Sequence, residues 1–508
     1  MSELPMLNRK LLEEKYLGTP LADYPAELLN YPERVIQFGE GNFLRAFVEW
    51  MFHKTNKAGL FKGRIVVVQP IEQGRVKNLN EQDGLYTLLL RGKQGGKIVD
   101  EREIIPVISR GLESTTQWEE VLKCAENPDI EYFISNTTEA GIAYRPEDKL
   151  TDQPPVSFPG KLTVYLYRRF QHFQGDPSKG MVIIPCELID RNGDNLKKIV
   201  LKFAEQWGLP EAFSTWVKES NHFLNTLVDR IVTGYPFKEA AALEAELGYR
   251  DQNLNTGEIF HLWVIEGDAA LSERLPFHKV GLNVKWVKDL TPYRTRKVRI
   301  LNGAHTSTVA VACLSGIEFV RDAIDDTSVG KFLQDVLFEE IIPTLDYSDV
   351  NELKTFANDV LERFNNPFID HKWFDIALNS TSKFETRVMP SLRRYVEQNG
   401  KLPKKLTFSL AALIAFYRGT EIRNGKLVGM RNGKEYFVQD DLDTLEFFRD
   451  NWSQYEAGQQ TVEQLVEKVL RRFWSDFTAQ HPQLVAEVAD YVDVIINSGI
   501  TPGLQKCS

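Results

Sequence analysis

The chain has 508 residues, of which 43% are hydrophobic and 11% aromatic, and its formal net charge is -10. This length allows two or three domains, and the apolar content can fill more than one core. The acidic balance argues against nucleic acid or an anionic membrane as the main partner. We therefore expect a soluble globular protein without a nucleic-acid or membrane partner, and the sequence leaves its oligomeric state open.

The N-terminus and the cysteines indicate a compartment. The opening segment MSELPMLNRKLLEEKYL lacks the apolar core of a secretory signal, and no window approaches the roughly 20 apolar residues of a membrane span. The cysteines at 124, 186, 313 and 507 lie far apart, and no C-x-x-C or H-E-x-x-H pattern is present. We expect a cytoplasmic protein with reduced thiols and no tightly held metal, while a loosely bound ion stays possible.

Residues 33–70 predict a strand, a glycine turn, a helix and a second strand. The apolar run 35–38 and the segment RIVVVQP have the composition of buried strands, and large apolar residues between them recur at helical spacing. The turn reads GEGNFL, so Leu44 replaces the third glycine of G-x-G-x-x-G. The candidate cofactor-binding residues are Gly39, Glu40, Gly41, Asn42, Phe43, Leu44, Arg45 and Gln69.

Two glycines suffice for a tight turn that lets backbone N–H groups approach a pyrophosphate, although an ordinary strand–helix turn is the alternative. Gln69 ends the second strand, where an NAD-binding fold usually has an acid for the ribose diol. No arginine adjoins Gln69 to hold a 2′-phosphate, and Arg75 lies a few residues further on. This position alone leaves the choice of cofactor open.

The α/β alternation continues in EYFISNTTEAGI (131–142), a strand and a polar turn, and in residues 180–207, a strand, a loop and an amphipathic helix. From about residue 289, apolar residues recur at spacings of three and four with few strand-like runs. We predict an α/β protein with a Rossmann-type dinucleotide-binding domain over 1–288 and a mainly α-helical substrate and catalytic domain over 289–508.

The segment TRKVRILNGAHTST (295–308) places three polar residues in an apolar, helix-compatible run. At about 100° per residue, Asn302 lies roughly 140° and His305 roughly 80° from Lys297, so one broad face holds all three. Burial would lower the pKa of a lysine and suit it to proton transfer near neutral pH. The structural alternative is a snorkelling lysine, a capping asparagine and a satisfied core histidine.

The sequence resembles the polyol-specific long-chain dehydrogenase/reductase family, of which mannitol 2-dehydrogenase is the best-known type. Seven blocks in order carry the resemblance over nearly the whole chain: QFGEGNFLRAFVEW, QDGLYTLLLRG, SNTTEAGIAY, PCELIDRNGD, NTLVDRIVTGYP, KVRILNGAHT and LTFSLAALIAFYRG. The block IIPCELIDRNGD, together with EGNFLRAF, resembles the branch of the family that acts on tagaturonate.

The resemblance implies roles for the three polar residues. Lys297 would be the general base in alcohol oxidation and the general acid in carbonyl reduction, Asn302 would donate to the alkoxide-like oxygen, and His305 would orient a substrate hydroxyl. Asn192 would be a second donor, and Asp229 would lie near this network. Fixed amide donors suit the reaction because hydride leaving carbon builds negative charge on oxygen.

The resemblance further implies NAD as cofactor and interconversion of D-tagaturonate and D-altronate in hexuronate breakdown. His371, Lys383 and Arg387 are candidates for binding a sugar-acid carboxylate, because cationic groups suit it, although they are equally candidates for solvated helix charges. The alternatives are a fructuronate reductase or a mannitol-type polyol dehydrogenase of the same family. A binding protein that senses a dinucleotide without catalysis is an alternative of another class.

Overall fold

The computed structural model describes residues 4–137, 141–347 and 349–508. The chain divides into two compact units, Met1–Leu290 and Thr291–Ser508. The division falls two residues beyond the predicted domain boundary. Part of the predicted polar turn after residue 135, residues 138–140, lies outside the described residues.

A six-stranded parallel sheet with the order β5-β2-β1-β6-β7-β8 forms the centre of the N-terminal unit. Its strands are β1 (Glu33–Phe38), β2 (Arg64–Gln69), β5 (Ile108–Glu113), β6 (Tyr132–Ser135), β7 (Val182–Pro185) and β8 (His222–Phe223). Alternate residues of β1 and β2 enter two different hydrophobic clusters, one on each face. The strands are therefore covered on both faces, which explains their continuous apolar sequence.

Two smaller sheets complete this unit, with the orders β10-β11-β3-β4 and β13-β12-β9. Their strands are β3 (Tyr86–Gln94), β4 (Lys97–Ile105), β9 (Asn225–Asp229), β10 (Val232–Gly234), β11 (Asn255–Gly257), β12 (Leu262–Glu266) and β13 (Val284–Val287). The β3–β4 hairpin is inserted between the second and third strands of the Rossmann order.

The α-helices of the N-terminal unit are α1 (Arg9–Leu11), α2 (Asn42–Leu44), α3 (Trp50–Lys57), α4 (Val76–Glu81), α5 (Trp118–Ala125), α6 (Phe158–His172), α7 (Asn192–Gln206), α8 (Glu211–Glu219), α9 (Ala240–Leu247) and α10 (Ala269–Arg274). A π-helical turn, Arg45–Glu49, joins α2 to α3, so residues 42–57 form one helical run. Further short helical turns are Leu12–Tyr16, Ala26–Asn30, Pro177–Lys179 and Phe277–Val280.

The C-terminal unit is mainly helical. Its α-helices are α11 (Thr291–Arg296), α12 (Gly303–Ser315), α13 (Val320–Asp325), α14 (Val329–Asp335), α15 (Val350–Phe364), α16 (Trp373–Ile376), α17 (Ser380–Arg387), α18 (Met389–Asn399), α19 (Lys404–Phe416), α20 (Leu442–Glu456), α21 (Val462–Gln480), α22 (Gln483–Ser498) and α23 (Ile500–Cys507). Segments Lys297–Asn302 and Val336–Ile341 are π-helical, and Ile342–Thr344 is a 3-10 turn. Helices α12 and α19 are buried along almost their whole length.

The predicted fold class, an α/β Rossmann-type domain followed by a mainly helical region, is confirmed. The C-terminal unit also contains an antiparallel sheet of β14 (Glu421–Arg423), β15 (Lys426–Arg431) and β16 (Lys434–Val438), which the sequence patterns did not predict. The four cysteines are buried free thiols. Within the described ranges, no helix is long and apolar enough to cross a membrane, and no group of His, Cys, Asp and Glu forms a metal cage.

Candidate functional site

The glycine turn after β1 has the geometry of a dinucleotide cradle. Gly39 has φ +116°, and a Cβ there would lie 2.9 Å from the main-chain oxygen of Asn136. A Cβ at Gly41 would meet nothing within 4 Å, so Gly41 faces open space. The helical run starts at Asn42, directly after Gly41, and the start of a helix favours an anion.

A cavity of about 520 Å³ opens at this turn, at the carboxyl ends of the parallel strands. Its lining comprises Gly39, Glu40, Gly41, Pro70, Ile71, Asn136, Thr137, Gly141, Ala143, Arg145, Val156, Ser157, Phe158 and Lys161. This is the place where open α/β sheets bind ligands. Because a side chain at Gly39 would clash and one at Gly41 would fill the cavity, the cradle fits a dinucleotide.

Gln69 does not line this cavity. Its side chain is 2% exposed, and its amide donates to the main-chain oxygens of Ile71 and Glu72, at 2.9 and 3.1 Å. Its Oε1 accepts from the N–H of Val76 at 3.2 Å. The predicted cofactor-binding side chain thus fixes the loop after β2.

Four other predicted cofactor residues lie below or beside the turn. Arg45 is fully buried and donates to the main-chain oxygen of Asn253 and to Oδ1 of Asn42. Phe43 stacks on Phe47, and Leu44 is 1% exposed within the core. Leu44 thus fills the position of the missing third glycine with a core side chain, and these residues support the turn instead of lining the cavity.

Sequence reasoning described the polar turn after β6 but named none of its residues as cofactor-binding, and it did not single out the start of α6. Thr137 lines the cavity and is held by Glu187, whose Oε1 accepts from the Thr137 N–H and hydroxyl, both at 3.0 Å. Lys161, on α6, is buried, which lowers its pKa to about 8 against the opposing effect of Asp148. Its Nζ donates to the Val156 oxygen at 2.8 Å. The polar residues after β6 were the sequence signal for this part of the cavity, because they follow a central parallel strand, whose carboxyl end is where such sheets bind ligands.

Asn192 and Asp229 are both buried in the N-terminal unit. The Asn192 amide donates to the main-chain oxygens of Pro185 and Glu187, at 3.0 and 3.1 Å, and its Oδ1 accepts from the Thr226 N–H at 2.9 Å. In this geometry Asn192 ties the loop after β7 to β9, whereas a catalytic donor would need an amide hydrogen directed at the substrate. Asp229 ends β9, and its proposed place near the catalytic network stays a prediction.

In the C-terminal unit, Lys297 and Asn302 bound a π-helical segment. The N–H of Gly303 reaches the Val298 oxygen, five residues back, so the expected 100° per residue does not apply. Lys297 is half-buried, so the burial that would suit a lysine to proton transfer is partial here. Single π-helical turns inside α-helices occur frequently at functional sites.

His305 lies one turn further along, in α12, and is 8% exposed. Its ring stacks on Phe364 with centroids 4.1 Å apart, and its edge meets Trp373 at 6.0 Å. Burial, and then the positive charges nearby, hold the pKa of His305 well below its usual value, so the ring is neutral at neutral pH. Nε2 of His305 and Oδ1 of Asn302 are buried, and neither has a hydrogen-bond partner among the described residues.

The charges around His305 come from residues far apart in the sequence. His371 meets its ring edge-on at 5.3 Å, and Arg363, Arg387 and Lys383 lie near enough to lower its pKa. Lys383 donates from Nζ to the Ile376 oxygen at 2.9 Å, and burial, with Arg387 nearby, lowers its own pKa. The structure therefore brings the three predicted carboxylate-binding residues beside His305 and adds Arg363, which the sequence did not single out.

Solved structures of low sequence identity have the same fold. D-sorbitol dehydrogenase in substrate-free form superimposes with a TM-score of 0.79 at 21% identity, covering 98% of this chain and 100% of that one. Mannitol 2-dehydrogenase of Pseudomonas fluorescens, in a ternary complex with NAD and D-mannitol, gives a TM-score of 0.71 at 21% identity, covering 99% of both chains.

Relatives of higher identity match along most of the chain. An altronate oxidoreductase of Escherichia coli O6:K15:H31 (strain 536 / UPEC) is 47% identical over 481 residues, 94% of this chain and 97% of the relative. One of Yersinia enterocolitica serotype O:8 / biotype 1B is 46% identical over the same shares. The mannitol dehydrogenase Rossmann domain matches residues 33–279, and the mannitol dehydrogenase C-terminal domain matches 289–496. Each of the two units therefore matches one domain of this family over most of its length, and the chain belongs to the mannitol dehydrogenase family.

Proposed function

We propose that the protein is an NAD-dependent oxidoreductase that interconverts D-tagaturonate and D-altronate. The observation that carries the proposal is the group of three cations, Arg363, Lys383 and Arg387, that lies with His371 around a neutral His305. Similarity to altronate oxidoreductases over 94% of the chain supports it. These cations suit a sugar acid better than a neutral polyol, because guanidinium and ammonium groups make charge-assisted hydrogen bonds to a carboxylate.

The cofactor fits the cradle of the N-terminal unit. Gly39 and Gly41 leave room for a pyrophosphate at the start of the helical run, and Glu40, Ile71 and Thr137 line the adjoining cavity. When bound, NAD(H) accepts or supplies the hydride. The side chains of the cavity bind and orient the dinucleotide and exclude water from it.

The polar residues of the C-terminal unit supply the proton chemistry. In reduction, Lys297 Nζ donates a proton to the carbonyl oxygen as negative charge develops there, and in oxidation it accepts the hydroxyl proton. The Asn302 amide donates to the same oxygen and stabilises its charge. His305, neutral and with an available Nε2, orients a second hydroxyl of the sugar.

The proposal is tested by NADH oxidation with tagaturonate, fructuronate and fructose in parallel. A charge-assisted contact to the substrate carboxylate is worth about 1.5–3 kcal/mol, so fructose should be roughly 10- to 150-fold poorer in kcat/KM than tagaturonate. Fructuronate should be reduced less efficiently than tagaturonate.

Variants locate the carboxylate contact. Arg387→Met or Lys383→Met should lower kcat/KM for tagaturonate and hardly change it for fructose, which narrows the gap between the two sugars. Lys401→Met, at an exposed position of the same unit, is the matched control and should leave the gap unchanged. Equal reduction of fructose and tagaturonate by the wild-type protein would contradict the sugar-acid assignment and favour a polyol dehydrogenase.

A further inference from the structure

The end of β2 has no acid to bind a ribose diol. The residue there, Gln69, is buried and uses its amide on the loop that follows. Discrimination between NAD and NADP in Rossmann folds usually depends on a carboxylate at this place, which binds the 2′-hydroxyl. The first question is therefore whether another element supplies a carboxylate to the same position.

Glu40, in the glycine turn, extends to that position. A Cβ built at Gly74, in the loop after β2, would lie 2.3 Å from Glu40 Oε1 and 2.3 Å from the Gln69 side chain. The Glu40 carboxylate lies close to its own N–H and to that of Arg75, which favour its charged form, while burial, the larger effect, raises its pKa. The glycine turn therefore places a carboxylate over the end of β2, next to the side chain that occupies the usual acid position.

The carboxylate also has free capacity and a suitable neighbourhood. Two carboxylate oxygens offer about four lone-pair sites, so the two nearby backbone N–H groups leave room for a vicinal diol. Ile71 and Val156 line the same cavity and are apolar residues with 62% and 64% exposure, which suits them to a flat base. This end of the cavity therefore has the features of an adenosine site.

We propose that Glu40 binds the adenosine ribose diol of NAD and excludes the 2′-phosphate of NADP. The inference rests on the proposed function, since it requires a dinucleotide in the cavity. Among the charges nearby, Arg75 and Arg45 attract the carboxylate, and the Arg75 guanidinium donates to the Gln252 oxygen. Arg145 also lines the cavity and would attract a phosphate. A carboxylate in contact with the ribose diol nevertheless repels a phosphate on the ribose 2′ oxygen directly, because both groups are negatively charged.

The test measures binding without a sugar substrate. Dissociation constants for NADH, NADPH and 2′-deoxy-NADH are obtained from nucleotide or tryptophan fluorescence for the wild type and for Glu40→Gln. The wild type should bind NADH at least about 10-fold more tightly than either analogue, because a hydrogen bond to a charged group contributes this much. Glu40→Gln should reduce both ratios by about 10-fold and leave 2′-deoxy-NADH binding nearly unchanged.

Two further variants complete the design. Glu72→Gln removes the same charge from an exposed position of the neighbouring loop and should keep both wild-type ratios. Gly74→Ala leaves Glu40 in the chain but places a methyl group 2.3 Å from its Oε1, so the carboxylate must move and both ratios should fall.

The outcomes separate the inference from the function. If Glu40→Gln binds NADH and keeps both wild-type ratios, the inference is overturned while the proposed function stands. If the wild-type protein binds no NADH, the proposed function fails and the inference fails with it. A fall in both ratios with Glu40→Gln and Gly74→Ala, but not with Glu72→Gln, supports the inference.

Discussion

Single residues at the two proposed sites differ in how they are held. Glu40 reaches out of a main-chain turn, whereas His305 is packed between aromatic rings that fix its orientation. A fixed, neutral imidazole can position a hydroxyl without paying for its own ordering at each turnover. The same packing keeps water away from Nε2, so the proposed hydrogen bond to substrate would be stronger there than in solvent.

Lys297→Ala should retain the fold and NADH binding but lose turnover by about 10²- to 10⁴-fold, because it removes the proposed proton-transfer group alone. Single-turnover reduction of tagaturonate, followed by NADH absorbance, measures the loss. Lys354→Ala, at an exposed position of α15, is the control and should behave as the wild type. Near-normal turnover of Lys297→Ala would exclude this lysine as the acid and base.

The sequence singled out Lys297, Asn302 and His305, and the resemblance implied their roles, but neither predicted their geometry. The π-helical turn between the first two depends on how the segment packs in its unit, and no local residue pattern signals it. Likewise, Gln69 was singled out for its place at a strand end, while its amide turned out to bind its own loop. Arg363 went unnoticed because a lone arginine on an amphipathic helix has no distinguishing pattern.

At the scale of elements, the glycine turn combines two functions in two glycines that are separated by one residue. Gly39 is required by the backbone, since its φ is +116° and a side chain would meet the Asn136 oxygen. Gly41 has φ -65° and open space around its Cβ position, so its lack of a side chain matters only for a ligand. The first glycine thus serves the fold and the second serves the cavity.

These two roles predict opposite results for matched substitutions. Gly39→Ala should lower the free energy of unfolding by about 1–3 kcal/mol, because it strains the backbone. Gly41→Ala should leave stability within about 0.5 kcal/mol of wild type but weaken NADH binding, because its methyl group enters the cradle. Urea titration and NADH fluorescence measure the two effects. A stable Gly39→Ala with unchanged binding, or a Gly41→Ala that binds NADH normally, would contradict this division.

Periodicity predicted the elements whose burial follows from their own sequence. The central strands β1 and β2 and the long helices α19 and α21 carry apolar patterns that settle their type. The sheet of β14 to β16 was missed because its short strands are partly exposed, and their polar residues resemble a loop. The available signal was the pair of Asn-Gly turns at 424–425 and 432–433, whose residues all have positive φ and join the antiparallel strands.

For the whole molecule, we expect the buried ionisable groups to determine how the free energy of unfolding depends on pH, because their pKa values differ between the folded and unfolded chain. Burial lowers the pKa of His53, His305 and His371, and it lowers that of His261 to about 4. Burial also raises the pKa of Glu49 to about 7. The two kinds of group act in opposite directions between pH 7 and pH 5, because the unfolded chain protonates the histidines first and the folded chain protonates Glu49 first.

His261 provides the clearest case. Its Nε2 accepts from the Asn283 N–H at 3.0 Å, and its Nδ1 lies 3.2 Å from the Ile259 oxygen, so the neutral ring is fully used. The pKa of His261 is about 4 in the folded protein and about 6.5 in the unfolded chain. Its contribution to the free energy of unfolding is therefore complete above pH 6.5 and is lost as the pH falls from there. Between pH 7 and pH 5 this loss amounts to about 2 kcal/mol.

His261→Gln should therefore be less stable than wild type at pH 7 but should lose less stability between pH 7 and pH 5, as measured by urea titration of the full chain. Glu49→Gln should lose more over the same interval, because it lacks the carboxyl group whose native-state protonation offsets the loss. Relative to the wild type, the two variants should change the stability loss between pH 7 and pH 5 in opposite directions. Protonation of surface groups alone would not produce this difference. Equal losses in both variants and the wild type would mean that neither buried group determines the pH dependence.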